Sequence, residues 1–126
     1  MTNLFQTPIA HWLGASTTET PSVYRTTFAE HHLGNIWIRS LHGGVTGAMI
    51  EVSAEAETRR QLDRDAALMI VTNSTDYLRI SKDVDLYTRA TIQRLSRRLS
   101  VVDVTCWQDN EETLIARGVV TIKISD

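Results

Sequence analysis

The segment Ser-Leu-His-Gly-Gly-Val-Thr-Gly-Ala-Met-Ile-Glu at residues 40–51 decides how this chain folds. Its adjacent glycines let the backbone come close to a ligand, and the residues after them have helical spacing. The free amides of a first helical turn, with the helix dipole behind them, favour developing negative charge. Glu51 lies eight residues past Gly43, a little over two turns along. The segment therefore predicts a helix start that polarises a carbonyl oxygen, followed by a candidate general base.

The predicted helix extends from Gly44 to about Leu62. Apolar residues fall within one narrow arc when stepped at about 100° per residue, and two more lie opposite. The arc consists of Val45, Ala48, Met49, Val52 and Ala56, with Ile50 and Ala54 on the other side. A helix that is apolar nearly all round is expected to be wrapped by other structure, whereas its charged far end, residues 57–65, is expected to be solvated.

Strand-like segments lie on both sides of this helix in the sequence, and a short helical segment precedes them. Apolar spacing at residues 4–13 predicts a short helix, which Pro8 limits to a start near Thr7. Segments rich in β-branched and aromatic residues predict strands. These segments are residues 23–29, 66–80, 86–95, 99–108 and 114–124. One early strand, a wrapped helix and four further strands joined by short turns predict an α+β fold in which an antiparallel sheet curls around the central helix.

Composition narrows the functional classes. The chain has 126 residues and a formal charge of -2, which suits a single soluble domain over residues 1–126 and argues against a nucleic-acid partner. Its one cysteine, Cys106, fits a reducing compartment and is expected to be a small buried hydrophobe. The longest apolar run, residues 66–71, is too short to span a bilayer, and residues 1–15 lack a signal-peptide pattern. We therefore expect a cytoplasmic location without a membrane partner.

Three segments together resemble the hotdog-fold thioesterases, specifically the PaaI-like acyl-CoA thioesterase branch. The first is His-Gly-Gly followed after six residues by an acidic residue, at residues 42–51. The second is Asp-Tyr-Leu-Arg-Ile-Ser at residues 76–81, which is followed by a strand. The third comprises residues 94–104 and the closing hairpin at residues 114–121. This resemblance implies a hotdog fold over nearly the whole chain.

The resemblance also implies an activity, hydrolysis of an acyl or aryl thioester of coenzyme A (CoA) to the free acid and CoA. The reaction would occur in a cleft between two subunits that pair their sheets edge to edge, in homodimers that assemble into homotetramers. By similarity, Gly43 would donate its backbone amide to the thioester oxygen and Glu51 would act as general base or nucleophile. His42 would hydrogen-bond near the thioester, and Asn35 would hold the carbonyl or the water.

The family pattern often places a hydroxyl residue on the strand after the helix, where it orients the water. The matching position here is Ile70. Thr72 lies two residues on and is expected on the same strand face, so it is the candidate to replace that hydroxyl.

Two further groups of residues are expected to contact the substrate. Arg97 and Arg98 are candidates for binding the CoA phosphates, because guanidinium pairs well with phosphate oxygens. The acyl group would enter an apolar tunnel. The residues expected to line it are Trp37, Met49, Ile50 and Tyr77.

Other chemistries have weaker support in the sequence. His31 and His32 are adjacent, and adjacent side chains of an extended segment point to opposite faces, so we expect no metal site. No metal or redox cofactor is expected, with CoA present only as part of the substrate. Two alternative functions remain open: a non-catalytic acyl-CoA binding module, and a hydratase or dehydratase on the same fold.

Overall fold

The structure, a computed structural model that describes residues 3–126, consists of an antiparallel sheet curled around a long helix. Short 3-10 turns cover Leu4–Gln6 and Glu30–His32. The helices are α1 (Pro8–Leu13) and α2 (Gly43–Gln61). The strands are β1 (Ala15–Thr17), β2 (Val23–Thr26), β3 (Leu33–Asn35), β4 (Ser40–Leu41), β5 (Ala67–Tyr77), β6 (Leu86–Leu95), β7 (Leu99–Trp107) and β8 (Ala116–Ser125). This is the hotdog arrangement that the resemblance implies, and the α+β prediction is confirmed.

The strands of the main sheet lie in the order β1-β2-β6-β7-β8-β5, and β3 pairs with β4 in a small separate hairpin. The expectation that the last four strands follow one another through short turns is wrong for β5 and β6. Strand β5 pairs with β8, so residues 78–85 carry the chain back across the sheet to β6. As a result β5 is an edge strand, and one side of its backbone has no partner strand within residues 3–126.

Helix α2 is wrapped as its composition predicts. Val45 and Met49 from the main apolar arc are buried, and so are Ile50 and Ala54 from the opposite side. Burial on both sides is possible because β5, β6, β7 and β8 all contact the helix. The short helix near the N-terminus is also confirmed: Thr7 caps α1 by accepting the Ala10 amide, and Pro8 occupies its first turn.

The far end of α2 differs from the prediction of a solvated segment, because the Glu57 side chain is completely buried. Its carboxylate accepts hydrogen bonds from the Tyr24 hydroxyl at 2.9 Å and the Ser22 hydroxyl at 2.9 Å. Arg60 donates to it at 2.6 Å and Gln61 at 2.8 Å. Burial alone would raise the pKa of Glu57, but these donors outweigh it and hold the pKa below its ordinary 4.5.

Glu57→Gln is expected to lower the free energy of unfolding by about 1.5–3 kcal/mol, because Arg60 loses its charged acceptor and the donors lose a carboxylate. A depressed pKa contributes stability above the unfolded-state pKa, and this contribution is lost as the pH falls through the folded-state value. Calorimetric unfolding below pH 4.5 should therefore be less steeply pH-dependent in the variant than in wild type. Equal stability and equal pH dependence would contradict the role of this network; Glu112→Gln, at an exposed position, is the control.

Within residues 3–126, no helix combines the length and apolar character needed to cross a membrane.

Candidate active site

The hairpin of β3 and β4 leads directly into α2 and packs against its N-cap residue. Gly34 in β3 packs against His42, and a Cβ at Gly34 would lie 2.8 Å from the His42 Cα, so only glycine fits there. His42 is the N-cap of α2, and its Nδ1 accepts the Gly44 amide at 2.9 Å. The imidazole Nδ1 therefore acts as the acceptor for one of the free amides in the first turn of the helix, at the point where the hairpin ends.

Gly43 is the first residue of α2, so its N–H has no acceptor inside the helix, and none lies elsewhere within residues 3–126. Its carbonyl accepts the Tyr77 hydroxyl at 2.7 Å. The Tyr77 ring covers the same glycine and is itself 57% exposed. The geometry leaves an exposed amide at the positive end of a long helix, which can stabilise an oxyanion.

Glu51 is half-buried between α2 and β5. Asn73 donates through Nδ2 to Glu51 Oε2 at 3.0 Å and to the Gly47 carbonyl at 3.2 Å. Thr75 in turn donates its hydroxyl to Asn73 Oδ1 at 2.7 Å. The other carboxylate oxygen, Oε1, has no hydrogen-bond partner in the described part of the chain. Glu51 thus presents one anchored oxygen and one that is available to water or substrate.

A β-bulge explains why Asn73 faces Glu51 and Thr72 does not. The register of β5 against β8 shifts between Ile70 and Thr72. Ile70 packs against the core, but after the bulge the helix-facing positions are Asn73 and Thr75. Thr72 is exposed on the other face. The expectation that Thr72 shares the face of Ile70 is therefore wrong, because the extra residue reverses the alternation of faces along the strand.

The Gly43 amide and the Glu51 carboxylate lie far apart within one chain. Eight helical residues at a rise of about 1.5 Å each separate the backbones of Gly43 and Glu51 by about 12 Å along the axis. Reacting groups need to lie about 3–3.5 Å from one another. A carbonyl bound at the Gly43 amide is therefore out of reach of Glu51 of the same chain.

The remaining candidates for catalysis and acyl binding divide into exposed and buried groups. Asn35 Oδ1 accepts the Trp37 and Ile38 amides at 3.0 and 3.3 Å, so the side chain holds its own turn. Trp37, at the tip of this turn, is 90% exposed. In contrast, the expectation that Met49 and Ile50 line an open tunnel is wrong. Both are fully buried in the core, because the curled sheet covers the helix faces that carry them.

The candidate phosphate ligands Arg97 and Arg98 lie in the turn between β6 and β7. Arg97 forms a 2.6 Å ion pair with Asp126. Ser100, at the start of β7, is hydrogen-bonded at 2.8 Å to Thr58 near the C-terminal end of α2. The turn therefore lies at the opposite end of the helix from Gly43, and one chain does not bring these arginines to the amide.

The adjacent histidines also differ from expectation. Both lie in the 3-10 turn Glu30–His32, and the Nε2 atoms of His31 and His32 donate to the same Trp12 carbonyl at 2.7 and 2.9 Å. The expected orientation to opposite faces is wrong, since this segment is a tight turn instead of a strand. Within the described residues, no group of three or more His, Cys, Asp or Glu side chains could hold a metal ion.

The fold agrees with the comparisons to known proteins. The family model of the thioesterase superfamily matches residues 39–115, which is more than half of the chain, and the protein belongs to this superfamily. The chain shares 27% identity with a proposed esterase of Mycobacterium tuberculosis, with a TM-score of 0.83 over 95% of this chain and 98% of that one. No curated protein matches the sequence.

Two other solved structures show the same fold. A proposed thioesterase of Ralstonia eutropha, related to phenylacetic acid degradation, is 21% identical with a TM-score of 0.79, covering 93% of this chain and 90% of that one. A Bacillus halodurans protein solved with CoA is 17% identical with a TM-score of 0.81, covering 94% of this chain and 76% of that one.

The capping role of His42 predicts how substitutions there affect stability. His42→Ala removes the acceptor of the Gly44 amide and should lower the free energy of unfolding by about 1 kcal/mol. His42→Asn keeps a side-chain acceptor suited to an N-cap and should retain most of the stability. Urea unfolding of the two variants measures the difference. The capping role would be contradicted if His42→Ala is as stable as wild type, or if His42→Asn is no more stable than His42→Ala.

Proposed function

We propose that this protein is a PaaI-like thioesterase that hydrolyses an acyl or aryl thioester of CoA to the free acid and CoA. Gly43 would polarise the thioester carbonyl through its backbone amide, and Glu51 would activate a water molecule or attack the carbonyl carbon directly. The observation that carries this proposal is the Glu51 carboxylate, which is held by Asn73 with Oε1 left without a partner in the described chain. Membership of the thioesterase superfamily supports the reaction class.

These two groups supply the two effects that thioester hydrolysis needs most. Preorganised donors aimed at a developing oxyanion typically lower a barrier by about 3–4 kcal/mol. A positioned base adds roughly 10²- to 10⁴-fold in rate. Neither effect requires a metal or a redox cofactor, so the proposed reaction uses water and the CoA thioester alone.

We propose that each reaction centre is shared between two copies of the chain. The axial separation of about 12 Å prevents the Gly43 amide and Glu51 of one chain from acting on one carbonyl. Antiparallel pairing of the free β5 edge with β5 of a second copy would place the two α2 helices antiparallel. A two-fold axis near Gly47, midway between the two groups, would bring Gly43 of one copy level with Glu51 of the other. Asn73 of β5 contacts Gly47, so a two-fold axis near Gly47 would also pass close to β5, the strand that forms the pairing.

The same pairing accounts for the positions of the remaining candidates. It turns the β6–β7 end of the second copy toward the Gly43 end of the first, which moves Arg97 and Arg98 toward a bound CoA. The exposed Trp37 and Tyr77 lie at that end and would contact the acyl group. The Bacillus halodurans neighbour was solved with CoA, which supports CoA as the ligand class.

Further association into a homotetramer would cover the outer face of the sheet. Met69, Val71 and Val119 are exposed there at 57%, 54% and 40%. Removing such apolar side chains from water favours association.

One observation favours the alternative of a non-catalytic acyl-CoA binding module. Thr72 faces away from Glu51, and the Thr75 hydroxyl is donated to Asn73. In the single chain, therefore, neither threonine of β5 has a hydroxyl that is free to orient a water molecule beside the carboxylate.

Thiol release from a panel of acyl-CoA thioesters, from acetyl to long-chain and including phenylacetyl and benzoyl, tests the proposal. Wild type should release thiol from at least one substrate, and Glu51→Gln should lose at least about 100-fold in kcat with the oligomer intact. Glu112→Gln, at an exposed position in the loop between β7 and β8, is the control and should remain active.

Two outcomes would contradict the proposal. Full turnover in Glu51→Gln would exclude Glu51 as base or nucleophile. Calorimetric binding of acyl-CoA without thiol release by wild type would make the binding module the better description.

A further inference from the structure

Asn73 connects β5 to the Glu51 carboxylate, and its amide orientation is determined by its neighbours. The two groups on one side, Glu51 Oε2 at 3.0 Å and the Gly47 carbonyl at 3.2 Å, can only accept. The Thr75 hydroxyl donates on the other side at 2.7 Å. The NH₂ group must therefore face the helix, and reversing the amide would set oxygen against oxygen.

This arrangement holds one carboxylate oxygen and leaves the other available. A glutamate has three rotatable side-chain bonds, so an unsupported carboxylate would sample several positions. The bond to Asn73 fixes Oε2 at the β5 side of the helix, and Oε1 has no partner within residues 3–126. A base must be held close to its productive geometry, because a misplacement of about 1 Å can cost on the order of 100-fold in rate.

We propose that Asn73 is a positioning residue that orients the Glu51 carboxylate for hydrolysis, and that Thr75 holds the Asn73 amide in place through its hydrogen bond to Oδ1. This inference rests on the proposed function and identifies the residue that holds its general base, Glu51, in position. Asn73 acts through Glu51, whose Oε1 is the oxygen that meets the water or the substrate carbonyl.

Three variants separate this role from simple packing. Asn73→Leu removes both donors at similar volume and should lower kcat by about 10- to 100-fold with KM changed less than about twofold. Thr75→Val removes the hydroxyl but keeps the shape, and it should lower kcat by roughly 3- to 10-fold, because the amide loses the hydrogen bond that holds its oxygen in place. Thr75→Ser restores the donor and should return kcat to within about twofold of wild type.

The decisive readout is the same Asn73 substitution in a Glu51→Gln background. If Asn73 acts through Glu51, Asn73→Leu should not lower the residual kcat of Glu51→Gln further, so the two effects are not additive. A packing role would lower kcat by the same factor in both backgrounds. Equal losses in both backgrounds, or full activity of Asn73→Leu in the wild-type background, would overturn the inference.

A second measurement does not depend on turnover. The side-chain amide resonance of Asn73, followed by NMR, should move in Glu51→Gln and remain in place in Glu112→Gln, at an exposed position. An unmoved resonance would overturn the contact. Absence of thiol release by wild type would overturn the proposed function together with this role, whereas an active wild type with an inactive Glu51→Gln and an unaffected Asn73→Leu would overturn only the role of Asn73.

Discussion

The close contact between α2 and β5 is the interaction on which the candidate site depends. Along one stripe of the helix, Gly43, Gly47 and Glu51 recur every fourth residue and face the strand. Tyr77 bonds to the first of these residues, and Asn73 bonds to the other two. Tyr77 lies close to both glycines: a Cβ at Gly43 or at Gly47 would be in ordinary van der Waals contact with the Tyr77 side chain, at 3.5 and 3.4 Å. The contact fixes both the exposed amide and the carboxylate.

Most of the fold was predictable from local pattern. The glycine pair and the apolar spacing after it predict α2 within one residue of its observed bounds, and the strand patterns place β5 to β8 closely. The pairing of β5 with β8 could not be read in the same way, because it depends on contacts between distant segments. The buried Glu57 was missed for a similar reason: its partners Tyr24 and Ser22 lie more than thirty residues away.

The candidate site was predictable only in part. The helix start and Glu51 follow from residue type and spacing, because both lie on one continuous helix. The hydrogen-bond partner of Glu51 depends on the β-bulge after Ile70. The bulge reverses the faces of the β5 residues that follow it, so Asn73 faces Glu51 where strict alternation would place Thr72. A sequence pattern with strict alternation cannot anticipate an extra residue. Met49 was misassigned because apolar spacing does not distinguish a tunnel wall from a packed core.

The measurement that most directly tests the proposed sharing of a reaction centre is complementation between two variants that we expect to be inactive. Gly43→Pro removes the donor N–H: proline suits the first helical position, and His42 already has the extended φ of -62° and ψ of 137° that a following proline requires. Gly43→Ala keeps the N–H and is the matched control, since its Cβ would lie at an ordinary 3.5 Å from Tyr77.

Hybrids of Gly43→Pro and Glu51→Gln subunits, purified through two different tags, should recover about half of the wild-type activity per dimer, because one of the two symmetric centres regains both groups. Hybrids no more active than either parent would contradict a centre built from two chains.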